Sequence, residues 1–302
     1  MFVIRHRKIF YIFTGLTIAL SLGALWLWGL NFGIDFTGGS ILEIKYSDSR
    51  PDIMELQQKI LEAGFAGAFL QPTDEAGILV RLSDITEEKH QELLEVLAGN
   101  TAKSGIEELH FDSVGPIIGQ ELKRKSLIAI FLVLIMILAF ISWSFRNVSR
   151  PVASWKYGLI AIIALAHDIL IPAGFFAVLG EFMHAEVGTL FVTALLTLLG
   201  FSVYDTIVVF DRIRENIQRF GKTMEFEEVV GKSLSEVMGR SLATSLVLFL
   251  VLFGLFILGE SSIKYFILTL LIGVVAGAYS SIFVASPLLV SWESFSRKFR
   301  RR

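Results

Sequence analysis

One carboxylate inside an apolar run is the residue of this chain best placed to do chemistry. Asp205 sits in Gly200-Phe201-Ser202-Val203-Tyr204-Asp205-Thr206-Ile207-Val208-Val209-Phe210, the second half of an apolar stretch from Gly188 to Phe210. Asp211-Arg212-Ile213-Arg214-Glu215 follows; it is too charged for hydrocarbon and marks a water interface. At the helical rise, Asp205 lies about 9 Å deeper than Asp211. A charge at the bilayer centre costs at least about 2.5 to 3.5 kcal/mol on insertion scales. Asp205 must therefore face other helices or a hydrated path. Desolvation disfavours the charged form of a carboxyl, so a side chain here can gain and lose a proton, as proton-driven work requires. The plainer alternative is an aspartate that hydrogen-bonds a neighbouring helix.

Arg240 is the second candidate. It stands where a later apolar stretch begins, followed by Ser241, Thr244 and Ser245. An arginine there can snorkel to the interface. It can also turn inward and hold Asp205 charged, which would make proton binding depend on its approach. Asp168, after His167, is a second carboxyl in an apolar stretch, and histidine can join a proton relay. Neighbouring positions point to different faces of a helix, so a pair that serves only helix packing is the favoured reading of His167 and Asp168.

These side chains need membrane helices to position them. The chain has 302 residues, 54% of them hydrophobic, against about 45 to 50% in soluble domains. Cysteine is absent, which excludes disulfides and thiolate chemistry. Six apolar stretches are long enough to span: Ile9 to Leu30, Leu127 to Phe145, Tyr157 to Gly180, Gly188 to Phe210, Leu242 to Gly259 and Ile263 to Val290. The first lacks a small-residue cleavage site, so it is expected to remain as a helix. Trp26 and Trp28 would anchor its far end. Lys and Arg set the orientation. Seventeen fall in the N-terminus, the segment Arg146 to Lys156 (Arg146, Arg150 and Lys156), the segment Arg212 to Arg240 and the tail Arg297 to Arg302. The short loops Glu181 to Val187 and Glu260 to Ile263 hold none, and Lys264 starts the next helix. Both termini are therefore expected in the cytoplasm.

Residues 31–125 read as a separate outer domain. Ser40 to Tyr46 alternates like a half-buried strand. Pro51 opens an amphipathic helix with Ile53, Leu56, Ile60 and Leu61 on one face. Phe65 to Leu70 and Ile78 to Leu82 read as strands. Glu87 to Leu97 is a helix with Leu93, Leu94 and Leu97 inward, and Ile106 to Val114 is a last strand. The order βαββαβ predicts a ferredoxin-like α+β fold. Residues 1–30 then hold the N-terminus and first span, and 126–302 the remaining five. Gly221 to Gly239, with apolar Met224, Val229, Val230, Leu234, Val237 and Met238, fits an amphipathic helix on the membrane surface or one packed on the bundle. Gly273, Gly277, Ser280, Ser281 and Pro287 in the last span are small or bent positions that suit close helix contact.

No catalytic, metal or cofactor spacing is present, so no enzyme is expected. Gly231-Lys232-Ser233 ends like a phosphate loop, but Phe226 stands where the first glycine belongs and no strand precedes it. Tyr204-Asp205 with Asp168 suggests an intramembrane aspartyl protease, whose second motif, Gly-x-Gly-Asp, is absent.

The chain resembles the SecD/SecF family of the resistance-nodulation-division superfamily along nearly its whole length. Gly33-Ile34-Asp35-Phe36-Thr37-Gly38-Gly39 matches the family's entry motif. Gly115-Pro116 with Gly119 and Glu121-Leu122, Ala166-His167-Asp168, and Arg240-Ser241-Leu242 with Thr244-Ser245 match later ones. Asp205-Thr206-Ile207-Val208 with Asp211-Arg212-Ile213-Arg214-Glu215-Asn216 is the most specific match, and Ser280-Ser281 with Phe283, Ala285 and Pro287 completes the set. Tyr204 replaces the family's usual asparagine, and Val247 and Leu248 replace its further threonines. The resemblance implies an accessory subunit of the Sec translocase in the bacterial inner membrane. It would work with SecD beside the SecY–SecE–SecG channel, with YajC and YidC as further partners, and help pull unfolded polypeptide outward by proton flow. Membrane lipid surrounds such a protein; nucleic acid is not a partner. Asp205, Arg240, Asp168 and Thr244 would form the proton pathway, and no cofactor is implied. A small-molecule or lipid exporter of the same superfamily is the alternative.

Overall fold

The computed structural model describes residues 2–73, 75–99, 105–146, 152–259 and 263–300. Arg150, Glu260, Arg301 and Arg302, all used in the charge and loop reading, lie outside them. The chain divides into two compact units, Met1–Asn31 with Ile128–Arg302, and Phe32–Leu127. A short helix α1 (Phe2–Arg5) precedes the first span α2 (Arg7–Leu27). That span ends three residues before the expected Leu30. Gly29 turns to φ 71°, and its N–H donates to the carbonyl of Leu25 at 3.1 Å, a glycine stop.

The smaller unit begins with α3 (Ile34–Thr37) and β1 (Gly39–Tyr46), followed by α4 (Ile53–Glu62), β2 (Phe69–Pro72) and β3 (Gly77–Leu82). Then come α5 (Glu87–Ala98) and β4 (Ile106–Val114). The sheet order is β2-β3-β1-β4 with every neighbouring pair antiparallel, the ferredoxin-like arrangement of a split βαβ. Asp52 caps α4 by accepting from the N–H of Met54 at 2.8 Å, which explains why the helix starts just after Pro51. Leu42 and Ile44 of β1, Ile78 and Val80 of β3, Leu56 and Ile60 of α4, and Leu93 and Leu97 of α5 make the core. Two details differ from the sequence reading. Phe65 is buried in the turn before β2 rather than in the strand, because Gly67 at φ 83° reverses the chain there. Leu61 is exposed, whereas Leu94, partly buried, packs against the core as expected.

The remaining spans are α6 (Pro116–Ser144), α7 (Ser154–Met183), α8 (Thr189–Phe220), α9 (Phe226–Leu258) and α10 (Lys264–Ser280). A five-residue π-turn (Ser281–Ala285) joins α10 to α11 (Ser286–Arg300). With α2 these make six helices long and apolar enough to cross a membrane, so the protein is a multi-pass membrane protein. Several run well past their apolar stretches. α6 begins at Pro116, eleven residues before Leu127, and α8 continues ten residues beyond Phe210. α9 takes in most of the segment expected to be a separate amphipathic helix. Phe226, Val230 and Leu234 share one buried core with Phe210 and Ile213 of α8, so that segment packs on the bundle. α7 and α10 are the most enclosed spans, and α6 and α9 the least.

Small residues set the closest approaches, as membrane bundles require. A methyl group on Gly174 of α7 would stand 2.4 Å from the Cβ of Ser21 on α2. Gly273 of α10 faces Leu198 of α8 in the same way, and Gly277 faces Ser202. The packing role read for Gly273 and Gly277 is what these contacts show.

Candidate functional site

Asp205 is half-buried on α8. Its Oδ2 accepts a hydrogen bond from Ser245 Oγ of α9 at 3.3 Å. Both residues line a cavity of about 570 Å³ between α8, α9 and α10, with Ser202, Thr244, Gly273 and Gly277 on its wall. Its lining is otherwise mostly aliphatic and aromatic. Ser241, one turn before Ser245 on the same side of α9, is buried.

Arg240 is exposed and makes no ion pair among the described residues; its carbonyl accepts from Thr244 Oγ1 at 3.2 Å. Thr244 also donates to the carbonyl of Ser241 at 2.9 Å. The structure therefore brings Asp205 and Thr244 to one cavity and leaves Arg240 apart from the carboxylate.

Asp168 occupies a different environment. It is 2% exposed. Its Oδ2 accepts from Ser202 Oγ of α8 and from Ser280 Oγ of α10, the latter at 2.8 Å. Its Oδ1 lies 2.9 Å from His167 Nδ1. One carboxylate thus ties three helices. Pro172, one turn later in α7, has no N–H for the carbonyl of Asp168. The two intramembrane carboxylates share no hydrogen bond, but Ser202, a partner of Asp168, lies one turn before Asp205 and lines the same cavity. The expected divergence of His167 and Asp168 gives way to direct contact between the side chains.

The charged end of α8 is paired with α9. Arg212 Nε lies 2.6 Å from Glu236 Oε2, and Arg212 also pairs with Glu215. Asn216, fully buried, donates to Ser233 Oγ at 3.0 Å and to Glu236 Oε2 at 2.8 Å. The sequence reading took Asp211 to Glu215 as an interface marker, named Asn216 only as the end of the family motif and Ser233 only in a broken phosphate loop, and did not mention Glu236. Their partners lie 17 to 24 residues away in the chain, and no local periodicity connects them.

In the smaller unit the glycine pair has a steric cause. Gly38 has φ 78°, and a methyl group on it would meet Pro116 Cα at 2.7 Å. Gly39 has φ 135° and presses on the carbonyl of Leu82, and Gly119 faces the backbone of Phe36 and Gly38. The chain entering β1 thus lies directly against the start of α6. Among the described residues no group of three His, Cys, Asp or Glu side chains is arranged to hold a metal.

Residues 95–294 match the family described as "Protein export membrane protein SecD/SecF, C-terminal", and residues 29–49 match the "SecD/SecF GG Motif". The chain belongs to the SecD/SecF family. It is 43% identical to the protein translocase subunit SecF of Thermobaculum terrenum, over 99% of this chain and 96% of that protein. It is 34% identical to the protein translocase subunit SecDF of Thermus thermophilus, over 93% of this chain and 37% of that longer one. The crystal structure of SecDF from the same genus and species, described as a translocon-associated membrane protein, superposes with a TM-score of 0.81 at 32% identity. There the match covers 96% of this chain and 38% of that chain. In this SecD/SecF-family chain the glycine pair of the named motif is Gly38-Gly39, and its close approach to Pro116 and Leu82 explains why side chains are excluded there.

Proposed function

We propose that the chain is a SecF-like accessory subunit of the Sec protein translocase that uses proton flow to promote export of unfolded polypeptide. A SecD-like chain supplies the other half of the machine. The family match and the near full-length likeness to SecF support the accessory role. The SecDF relative, which carries a SecF-like region within one longer chain, supports the SecD partnership. SecY–SecE–SecG, YajC and YidC are proposed as further neighbours. The charge count supports both termini in the cytoplasm and residues 31–125 outside, and the family likeness supports a bacterial inner-membrane location.

The observation that carries the proton reading is Asp205, a carboxyl on an apolar helix that lines a cavity of about 570 Å³, accepts from a serine hydroxyl and has no cationic partner among the described residues. Intramembrane ionisable groups are costly and mark proton or ion paths. Asp205 takes up and releases the proton, and Ser245 orients its carboxylate. Thr244 lines the route. Arg240, one turn before Thr244, approaches Asp205 in another conformation of α9 and stabilises its charged form. Asp168 keeps the helices together beside this route and links to it through Ser202. Each proton crossing the full field contributes about 2.3 kcal/mol per 100 mV, which biases movement of the outer domain.

The test is Asp205→Asn. The variant should fold and insert, and export by proteoliposomes holding it with its partners should lose its response to a proton gradient. Unchanged gradient-driven export would refute the assignment.

A further inference from the structure

We infer that Arg212, Asn216, Ser233 and Glu236 form a latch between α8 and α9 that sets the rotation of α9, and through it the contact of Ser245 with Asp205. The inference rests on the reading of Asp205 as the proton-carrying group. Its basis is the uneven way α9 is held. Phe226, Val229, Val230, Gly231, Ser233 and Leu234, near its start, are buried. Between Leu242 and Leu258 only Leu252 is. The apolar half of α9 also flanks three cavities, one lined by Ser245 and Asp205, one by Ser245 and Phe249, and one by Phe249, Phe253 and Phe256. That half has room to turn, and the start of the helix does not.

The latch is the polar part of the fixed end. Glu236 Oε2 takes the guanidinium of Arg212 at 2.6 Å and the amide of Asn216 at 2.8 Å. Asn216 Nδ2 also reaches Ser233 Oγ at 3.0 Å, and Ser233 donates to the carbonyl of Val229 on its own helix at 2.7 Å. Arg212 and Asn216 are one turn apart on α8, and Ser233 and Glu236 are one turn apart on α9. Two rungs one turn apart resist rotation as well as sliding, whereas a single pair resists only separation. Asn216 Oδ1 is buried with no partner, so Asn216 is held by what its amide donates. Charge-assisted bonds of this kind are the stronger class. Ser245 lies nine residues after Glu236, about half a rotation round an ideal helix. A turn of α9 about its axis that carries Ser245 off Asp205 must therefore strain the latch. Glu236 and Asn216 are positioning residues in this account. Their chemistry reaches the proton site through the helix, not by contact.

The chain has no cysteine, so spin labels can be placed on Phe201→Cys and Val247→Cys, which line the cavity from α8 and α9. With the latch intact, pulsed electron spin resonance on the reconstituted full chain should give one narrow distance. Glu236→Gln and Asn216→Leu should each broaden it to two or more populations and weaken gradient-driven export. Glu236→Asp, which keeps the charge, should recover most of both. An unchanged distance distribution in Glu236→Gln would overturn the latch. So would broadening in Glu236→Gln with export and its pH profile untouched. If Asp205→Asn left export intact while the latch variants still broadened the distance, the proton reading would fail and the mechanical latch would stand.

Discussion

Ser245 Oγ of α9 donates to Asp205 Oδ2 of α8 at 3.3 Å, and no cation among the described residues pairs with that carboxylate. A weak hydroxyl donor orients a carboxylate without locking its charge. An arginine at the same place would hold the proton off. The arrangement leaves the carboxylate's charge unlocked, and it makes its surroundings depend on the position of α9.

Ser245→Ala should weaken the site without unfolding the protein. Losing one net hydrogen bond is worth about 0.5 to 1.5 kcal/mol, or roughly two- to twelvefold in the pairing equilibrium. The expected outcome is a partial fall in gradient-driven export with normal membrane insertion. Export assays on proteoliposomes across a range of pH values check it.

Asp168→Ala should fail differently. It strands the Ser202 hydroxyl and the His167 ring nitrogen in the core, at about 1 to 3 kcal/mol for each buried group left unsatisfied. Thermal unfolding in detergent should show a clear loss. The same measurement on Asp205→Asn should stay close to the parent protein, because Asp205 is half-buried, its bond from Ser245 is long, and an asparagine oxygen can still accept it.

Gly174→Ala should force α2 and α7 apart. The added methyl would lie 2.5 Å from Ser21 Cα, which is backbone and cannot swing away. Overpacking of this kind costs about 1 to 3 kcal/mol. A lowered unfolding temperature is the expected readout, and Gly200→Ala, with open space around it, serves as the control.

Tyr46 gives the smaller unit an alkaline limit. Burial pushes its phenol up to about 12, and its hydroxyl donates to the carbonyl of Leu97 at 3.2 Å. The folded value lies above the ordinary value of about 10, so the fold favours the neutral form. Its contribution to stability is complete below about pH 10 and is lost as pH rises toward 12. Tyr46→Phe should lower stability at neutral pH by about 0.5 to 1.5 kcal/mol for the lost bond, and flatten the decline between pH 10 and 12. Denaturation curves at several alkaline pH values decide this.

Much of this architecture is legible in the residues. Six apolar runs name six spans, and alternation from Ser40 to Tyr46 and from Ile106 to Val114 names two of the strands. Helix ends were less legible. α8 runs on through Arg212 and Asn216, and α9 starts at Phe226, because charged residues continue a helix as readily as apolar ones once it has begun. Hydropathy reports the membrane boundary, not the helix boundary. Asp205 could be picked out because an acid in an apolar run is conspicuous. Ser202 and Glu236 could not, and Ser280 was legible only as a small packing position, since a serine or glutamate in a helix carries no mark of the partner that folding brings to it.

The π-turn at Ser281–Ala285 places one extra residue in the last helix. Pro287 lies just beyond it, and its ring would otherwise crowd the carbonyl of Phe283 four residues back. Ser281 bonds to Thr206 of α8 at 3.0 Å, and its carbonyl accepts from Ser286 at 3.2 Å. An added residue advances all that follows by about 100° around the axis. Deleting one residue here would restore an ordinary spiral and swing Ser291 and Trp292 away from Tyr11 and Trp155, their present neighbours. The irregularity works as a phase correction, letting one continuous helix face two differently oriented sets of neighbours.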